Sequence, residues 1–414
     1  MNAYELARAQ YASIGVDTER ALSLLLAQPI SIHCWQGDDV TGFENAGEAL
    51  SGGIQATGNY PGKARSPQEL MQDMDKALSL VPGKHRINLH ASYAVFSGAP
   101  RERDQLLPED FDAWVDYAAA RGLGIDFNPT FFSHPMVKDN LTLSSPDEAV
   151  RAFWVRHGIA CRRVASAIAA RLGSPVLCNV WIPDGYKDVP ADRLGPRLRL
   201  QKSLDEIFAE ALPGVIDCVE SKVFGIGLEA FTVGSSEFYI AYAARHPSVY
   251  TLLDNGHYHP QEFVSDKIPA LLCAFDKVPL HVTRPMRWDS DHVVRLEGEL
   301  CEIAKEIVRN DALSRVLIGL DFFDASINRV AAWVVGVRAM QRALLQALLT
   351  PWEDLKRLQD GARFTRLLAL DEEYKGYPWG AVWDEACRRA GVPEREAWLD
   401  EVEAYERDVL SKRA

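Results

Sequence analysis

The stretch VYTLLDNGHYH (residues 249–259) places residue types that bind metals directly after an apolar run. Its first six residues form a short apolar run typical of a buried strand, and Asp254 stands where that run ends, with His257 three residues later. The run VPLHV (278–282) repeats the pattern with His281 near its end. Ionisable side chains this close to buried strands cost too much to bury unless they share a metal ion or pair with one another. The stretch therefore predicts a polar site built at strand ends.

Eight such apolar runs recur along the chain, and longer helical patterns alternate with them. The runs are Ile30–Trp35, Arg86–His90, Gly124–Asn128, Val176–Ile182, Val215–Glu220, Val249–Asp254, Val278–Val282 and Val316–Asp321. The helical patterns include Pro67–Val81, Pro108–Arg121, Pro146–Leu172, Arg197–Ala211, Ser235–Arg245, Leu296–Asn310 and a last barrel helix near Ala331–Leu349. Eight strand–helix units are the count of a closed parallel barrel, so we predict an α/β fold with a (β/α)8 TIM barrel. Side chains at the carboxyl ends of its strands should converge on one pocket.

The chain changes character after Asp324. Residues 326–414 show helical patterns throughout and no strand-like run. We predict a barrel domain over residues 1–350 and a helical C-terminal extension over residues 351–414. Amphipathic helices of this length need a surface to cover. We expect that surface to belong to a neighbouring subunit, and an arm wrapped on its own barrel is the alternative. The glycine-rich segment Gln36–Arg65 lacks periodicity and predicts either a lid over the pocket or an interface loop.

Composition excludes several functional classes. The chain has 414 residues, a formal net charge of −13 and a pI near 5.3, so it would repel a nucleic acid backbone. No apolar run approaches the roughly 20 residues that a bilayer crossing needs, and the N-terminus carries no secretion signal pattern. The seven cysteines are scattered without Cys-x-x-Cys spacing, which argues against disulfide scaffolds and zinc knuckles. We therefore expect a cytoplasmic protein without nucleic acid or membrane partners.

Two groups of residues have the chemistry of metal ligands. The first group stands at the ends of the fifth to eighth strands, one residue each: Glu220, Asp254, His281 and Asp321. The second group lies on loops just past strands six and seven: His257, Asp289 and Asp291. Oxygen-rich sets favour Mg²⁺ or Mn²⁺, while imidazole ligands leave Zn²⁺ and Co²⁺ open. Taken singly, a strand-end Asp is more often a helix cap and an apolar-strand His a core residue, but their joint occurrence at one barrel end favours ligands. His259 and His292 are weaker candidates, for orienting a ligand.

Other polar and aromatic residues at the strand ends suit a small polar substrate. Trp35, Trp181 and Trp288 offer flat faces that can cover the apolar side of a sugar, although core filling explains each equally well. Lys222 lies two residues after Glu220, where it can neutralise ligand carboxylates or hydrogen-bond a substrate oxygen. His90 can donate a hydrogen bond to a substrate hydroxyl or ring oxygen. We predict Trp35, His90, Trp181 and Lys222 as substrate-binding residues.

Two adjacent metals suit two kinds of reaction. One is hydrolysis, of the metal-dependent endonuclease type, and the other is aldose–ketose isomerisation. Residue chemistry alone leaves these open, although the acidic surface disfavours the nuclease version. A non-catalytic sugar-binding protein is a third interpretation, but it would not require the Asp-x-Asp loop.

Long stretches of the chain resemble bacterial L-rhamnose isomerases. They are IHCWQGDDV (32–40), GGIQATGNYPGKAR (52–65), NVWIPDG (179–185), ESK (220–222), RWDSDHVV (287–294) and GLDFFDASINR (319–329). The likeness covers essentially the whole chain, including the helical tail. Departures are minor: Asn255 replaces a small apolar residue, and the loop near His246 is one residue longer than the family pattern. Neither touches a predicted ligand.

The resemblance implies a barrel of the xylose-isomerase type, a homotetramer, and interconversion of L-rhamnose and L-rhamnulose, the first step of L-rhamnose catabolism. It implies catalytic Mn²⁺ on the group that maps onto His257, Asp289 and Asp291. The strand-end group, mapping onto Glu220, Asp254, His281 and Asp321, would hold a second divalent ion, for which Zn²⁺ is a candidate.

We predict that the reaction is a metal-assisted 1,2-hydride shift on the open-chain sugar, and an enediol route with proton transfer is the alternative. We predict Lys222, Asp321 and His257 as catalytic residues, with Lys222 polarising the carbonyl and Asp321 acting as a partner of the catalytic water. A hydride shift requires dry surroundings, which Trp35, Trp181 and the Gln36–Arg65 segment can provide.

Overall fold

The computed structural model describes residues 2–44, 54, 56 and 58–413. Ten strands lie in this part of the chain: β1 (Ile30–His33), β2 (His85–His90), β3 (Gly124–Asn128), β4 (Val176–Val180), β5 (Gly185–Tyr186), β6 (Val215–Glu220), β7 (Phe231–Thr232), β8 (Val249–Asp254), β9 (Val278–Val282) and β10 (Val316–Leu320). Eight of them pair in parallel and close into a barrel in the order β1-β10-β9-β8-β6-β4-β3-β2. The short strands β5 and β7 pair with each other outside the barrel. The predicted (β/α)8 fold is confirmed.

All eight predicted strands are barrel strands, and four of them have the predicted bounds. The strand predicted to end at Trp35 ends at His33, because Cys34–Gln36 turn into a 3₁₀-helix. The strand predicted to reach Ile182 ends at Val180. Each strand is short and carries branched apolar residues on both sides, as expected where helices cover the outer face of a parallel sheet.

Ten helices precede the C-terminal extension: α1 (Ala3–Ala12), α2 (Thr18–Ala27), α3 (Pro67–Leu78), α4 (Asp112–Arg121), α5 (Glu148–Leu172), α6 (Gly195–Ile207), α7 (Ser236–Ala243), α8 (Val264–Leu272), α9 (Gly298–Arg309) and α10 (Arg329–Leu348). Helix α3 begins as predicted, with the Ser66 side chain accepting a hydrogen bond from the Glu69 amide at 3.2 Å. Helix α5 begins at Glu148 rather than at Pro146, because the Asp147 side chain caps it through the Ala149 amide. None of the described helices combines the length and apolarity that a membrane crossing requires.

The barrel interior is apolar on one side and polar on the other. Leu177, Cys218 and Leu252 form a small buried cluster between β4, β6 and β8. Across the barrel, Arg86 on β2 makes a bidentate ion pair with Asp126 on β3, with both nitrogen–oxygen distances at 2.9 Å. The ion pair satisfies two charges that would otherwise be costly to bury, and it links neighbouring strands below the pocket.

The outer helices are tied to the barrel by buried polar contacts as well as by apolar packing. The Trp333 indole of α10 is fully buried and donates to the carbonyl of His33 at 2.9 Å, which fixes α10 against the end of β1. On the opposite side, Arg162 of α5 pairs with Asp217 of β6 at 2.8 and 2.7 Å. These contacts hold the strand ends in place, and the strand ends carry the predicted site.

The C-terminal extension forms four helices: α11 (Trp352–Asp360), α12 (Phe364–Lys375), α13 (Trp379–Ala390) and α14 (Trp398–Asp408). Helix α13 packs against α1, α2 and α10, and it buries Val382 and Trp383 in the same core as the barrel. Near the C-terminus, Arg413 pairs with Asp73 of α3 at 2.6 and 2.8 Å. Helix α12 differs, because none of its residues, all of which are described, is buried. Part of the extension therefore covers its own barrel, and α12 presents a free face.

Of the segment Gln36–Arg65, predicted as a lid or an interface loop, the structure describes residues 36–44, 54, 56 and 58–65. Residues 45–53, 55 and 57 of this segment lie outside the described residues. The described parts at both ends pack against the barrel: the Ala64 amide donates to the carbonyl of Gly37 at 3.0 Å. The segment thus leaves the barrel and returns to it at the same place.

We expect Trp383→Ala to destabilise the protein by about 3–5 kcal/mol, because it removes a buried indole that joins the extension to the barrel. Urea unfolding followed by circular dichroism would measure the shift in midpoint. Phe364→Ala is the matched control on α12, where the side chain is 59% exposed and the expected change is within about 0.5 kcal/mol. An unchanged midpoint for Trp383→Ala would mean that the extension contributes nothing to barrel stability.

Candidate active site

Four ionisable side chains meet at the carboxyl ends of adjacent barrel strands. Glu220 ends β6, Asp254 ends β8, His281 lies in β9, and Asp321 directly follows β10. Each offers one ligand atom such that all four atoms lie within 4.8 Å of one another. Pairing between β8 and β9 sets Asp254 beside His281, so the strand register itself brings the group together. The structure thus gathers the predicted strand-end group.

The donors of this group fit a divalent cation. The Nδ1 atom of His281 lies 3.2 Å from both Glu220 Oε2 and Asp321 Oδ2. The Oδ2 atom of Asp254 is buried and accepts no hydrogen bond from any described residue. Three carboxylates and one imidazole leave an excess of negative charge where water is largely excluded, and such a set is stabilised by a bound cation. An oxygen-rich set with one nitrogen suits Mg²⁺, Mn²⁺ or Zn²⁺.

Burial and charge shift the pKa values within the group in opposite directions. Burial alone raises the pKa of the Glu220 carboxyl, but His281 and His257 bring it below its ordinary value. Burial raises the pKa of Asp254 well above its ordinary value, with His257 opposing and the neighbouring carboxylates adding to the effect. Burial disfavours the charged form of His281, yet Glu220 and Asp321 raise its pKa well above the ordinary value. Protons thus partly offset the negative charge that a metal ion would neutralise.

The predicted loop group lies next to the strand-end group, and Lys222 enters it. His257 Nε2 lies 3.4 Å from Asp289 Oδ2, and His257 Nδ1 lies 3.0 Å from Glu220 Oε1, so His257 joins the two groups. The Lys222 ammonium contacts Asp289 Oδ2 directly and lies 3.2 Å from His257 Nε2. Asp291 lines a cavity together with Glu220, Lys222 and His257. In the described part of the chain, the strand-end group is the one whose ligand atoms all lie within 4.8 Å of one another.

Lys222 supplies the positive charge of the loop group. Burial lowers the pKa of the Lys222 ammonium, but Asp289 and Asp291 raise it above its ordinary value overall. Burial raises the pKa of Asp289, and Lys222 and His257 outweigh it, so the net shift is downward. Asp289 Oδ1 accepts no hydrogen bond from the described residues and is available as a ligand. The unpaired Asp289 Oδ1 therefore leaves room in the loop group for a cation, beside the Lys222 ammonium.

A cavity opens above both groups and contains every predicted substrate-binding residue. Its walls are formed by Trp35, Val40, Ile54, His90, Asn128, Phe132, Asn179, Trp181, Glu220, Lys222, His257, His281, Asp291, Asp321 and Phe323. One side is carboxylate and imidazole, and the other is aromatic and aliphatic. Such a cavity suits a small molecule with a polar edge and an apolar edge.

The predicted substrate-binding residues differ in what they touch. The Trp35 indole is 2% exposed and donates to Asp321 Oδ1 at 2.8 Å, so Trp35 also orients a ligand carboxylate. His90 packs on Trp35 with ring centroids 4.7 Å apart, and burial lowers its pKa to about 3, which keeps the imidazole neutral. The Trp181 ring lies 5.6 Å from the Lys222 ammonium, and its Nε1 has no hydrogen-bond partner among the described residues. The Nε1–H group of Trp181 can therefore donate a hydrogen bond to a polar ligand.

Some residues depart from the sequence interpretation. Trp288 is 46% exposed and does not line this cavity; it lines a separate pocket with His259 and Phe263. His259 is exposed, whereas His292 Nδ1 lies 3.1 Å from Asp324 Oδ2. Asn179 was not anticipated, although its amide donates to Glu220 Oε2 at 2.5 Å. The sequence feature that could identify Asn179 as a site residue is its position near the end of a barrel strand.

Comparison with known proteins agrees with this geometry. The family model for L-rhamnose isomerase matches residues 1–413. The L-rhamnose isomerase of Mannheimia succiniciproducens is 56% identical over 413 residues, covering 99% of this chain and 98% of the relative. That of Salmonella paratyphi A is 54% identical over 414 residues, covering 100% and 98%.

Among solved structures, an L-ribulose 3-epimerase has a TM-score of 0.48 and 14% identity over 78% of this chain and 95% of its own. Likeness at that level carries no argument about function, whereas the full-length sequence identity does. The chain belongs to the L-rhamnose isomerase family.

Proposed function

We propose that this protein interconverts L-rhamnose and L-rhamnulose, an aldose–ketose isomerisation that opens L-rhamnose catabolism. The observation that carries the proposal is the full-length match to the family, together with the group of Glu220, Asp254, His281 and Asp321, whose ligand atoms converge beside a cavity with polar and aromatic walls. Family membership argues against the hydrolase alternative, and the net charge of −13 argues against a nucleic acid substrate.

We propose two divalent ions. Mn²⁺ would be held by His257, Asp289 and Asp291, and a second ion, for which Zn²⁺ is the candidate, by Glu220, Asp254, His281 and Asp321. When bound, these ions supply the positive charge that grips neighbouring sugar oxygens and polarises the carbonyl. The orphaned oxygens Asp254 Oδ2 and Asp289 Oδ1 support one ion in each group.

The reaction moves a hydrogen from C2 of the open-chain aldose to C1 with its electron pair, while a proton passes from O2 to O1. Lys222 lines the cavity and carries a positive ammonium, so it donates a hydrogen bond to the carbonyl oxygen and favours the negative charge that develops there. Asp321, oriented by Trp35, acts as the partner of the water that moves this proton between the oxygens. His257 bridges both ligand groups and keeps them in register.

Exclusion of water favours a hydride shift over an enediol intermediate, because an enediol exchanges its carbon-bound proton with solvent. Trp35 is 2% exposed and Phe323 8% exposed, and both form the apolar side of the cavity. Trp181 continues the aromatic side that begins at Trp35, because it packs on Phe132 with ring centroids 5.8 Å apart and Phe132 packs on His90.

We further propose a cytoplasmic homotetramer in which the extension over residues 351–414 contributes contacts. Helix α12 supports this role, because Phe364 and Leu368 lie one helical turn apart and are 59% and 63% exposed. Two adjacent large apolar side chains on a free helix face are typical of an interface. Five of the seven cysteines are buried and all are free, as expected in a reducing compartment.

The decisive test of function is isomerisation of L-rhamnose in deuterated water. We expect EDTA-stripped protein to be inactive and added Mn²⁺ to restore ketose formation without carbon-bound deuterium, as measured by proton NMR. Mg²⁺ and Zn²⁺ added singly are the controls for metal identity. Deuterium at C1 would replace the hydride shift with an enediol route, and absence of ketose with every ion would contradict the proposed activity.

Lys222→Met should lower kcat at least about 100-fold, because it removes the donor to the carbonyl oxygen while leaving every ligand in place. Metal content measured by mass spectrometry should remain at two ions per chain. Asp289→Asn, by contrast, should lose one ion, because it removes a charged ligand. Lys267→Met is the control, since Lys267 pairs with Glu262 at 2.6 Å outside the cavity. Full activity of Lys222→Met with both ions bound would rule out the role of Lys222.

The double variant Phe364→Glu/Leu368→Glu should dissociate the tetramer, because it sets negative charges into the apolar contact. Sedimentation equilibrium gives the mass directly. Thr365→Glu adds the same charge to an exposed position of α12 outside this pair and should leave the mass unchanged. A wild-type monomer would contradict the tetramer, and an unchanged mass of the double variant would place the interface elsewhere.

A further inference from the structure

The turn that follows β1 holds two consecutive residues in an unfavourable backbone conformation. Asp39 has a φ of 59° and Val40 a φ of 63°, both in the left-handed region. A β-branched residue is rarely found there, because its side chain crowds the neighbouring carbonyl. Such strain persists only where the surrounding contacts impose it, and it often marks a functional constraint.

Val40 is the point where this turn meets the cavity. It is 4% exposed and lines the same walls as Trp35 and Lys222. Its amide donates to the carbonyl of Trp35 at 3.2 Å, and the Trp35 indole in turn donates to the ligand Asp321. The backbone conformation of Val40 therefore sets where one wall of the cavity stands.

Two carboxylates hold the turn from outside the cavity. Asp38 is fully buried and accepts hydrogen bonds from the Tyr93 hydroxyl at 2.5 Å and from the Gly42 amide at 2.7 Å. Asp39 makes a bidentate ion pair with Arg329, with Nε–Oδ1 and Nη2–Oδ2 distances of 2.8 Å each. Bidentate pairs of this kind fix geometry as well as charge.

Arg329 is itself held in place by the C-terminal part of the chain. It is 4% exposed, begins α10, and donates to the carbonyl of Tyr60 at 2.5 Å. The Tyr60 hydroxyl donates to Glu406 of α14 at 2.9 Å, and Asn328 donates to the same carboxylate at 2.6 Å. These contacts orient the Arg329 guanidinium toward the Asp39 carboxylate.

We propose that Asp39 and Arg329 are positioning residues for the sugar: their ion pair holds Val40 in its left-handed conformation and so sets the apolar wall of the cavity. Neither residue lines the cavity, so neither touches the substrate. This inference rests on the proposed isomerase activity. It assigns the pair to substrate binding and leaves the metal ligands and the chemical step to other residues.

Arg329→Gln and Asp39→Asn should each raise KM for L-rhamnose about tenfold while kcat stays within about twofold, because a displaced wall weakens sugar binding before and during reaction alike. Metal content should remain that of the wild type. The matched control is Arg162→Gln, which breaks another buried bidentate pair, with Asp217 at 2.8 and 2.7 Å, on the helix-covered side of β6. That variant should lose thermal stability and keep the wild-type KM.

Val40→Gly separates positioning from general packing, because glycine adopts the left-handed conformation without strain. Val40→Gly alone should raise KM through loss of its side chain, and adding Arg329→Gln should change KM no further, giving a non-additive cycle. An equal rise caused by Arg329→Gln in both backgrounds, or a rise in Arg162→Gln as large as in Arg329→Gln, would overturn the proposal. Wild-type protein that fails to isomerise L-rhamnose would instead overturn the function, and quenching of tryptophan fluorescence by sugar would then compare binding among the same variants.

Discussion

Three carboxylates, two of them buried, place their ligand atoms within 4.8 Å of one another and of His281, and this concentration of negative charge constrains the whole site. Such a group repels itself unless positive charge or hydrogen-bond donors are placed around it. Neighbouring residues supply these donors and this charge. Asn179 donates a hydrogen bond to Glu220, and Trp35 donates one to Asp321. Lys222 places a positive charge beside Asp289 in the adjoining loop. The same excess of negative charge makes the group a site for divalent cations.

A parallel barrel meets this constraint because it can deliver one ligand from each of several strands. Glu220, Asp254 and His281 come from three neighbouring strands whose register is set by backbone pairing. The scaffold beneath them is rigid, with an apolar cluster on one side and the Arg86–Asp126 ion pair on the other. Ligand positions therefore depend on hydrogen-bonded backbone rather than on flexible loops, which suits a reaction that needs accurate placement.

The opposite wall of the cavity is built differently. Val40 belongs to a strained turn, and its place depends on the pair of Asp39 and Arg329 and, through Tyr60, on Glu406 of the C-terminal extension. The extension thus has two roles. Helix α13 buries Trp383 in the barrel core, and Glu406 of α14 accepts a hydrogen bond from Tyr60, which supports the turn beside the cavity. The strand-end group and the Val40 wall consequently rest on separate parts of the fold, and Trp35, which contacts both Val40 and Asp321, connects them.

Local patterns along the sequence determined the eight strands, the helical character of the extension and the positions of Glu220, Asp254, His281 and Asp321 at the strand ends, because alternation, caps and strand-end chemistry act over a few residues. Trp288 and Asn179 show the limit, since loop orientation and amide hydrogen bonds depend on neighbours that the sequence does not set side by side. Asp39 and Arg329 stand 290 residues apart and meet only because the barrel closes β1 against β10. Only the tertiary structure shows that Asp39 and Arg329 pair beside the cavity wall, because contacts between residues so far apart in sequence follow from closure of the sheet and not from local preference.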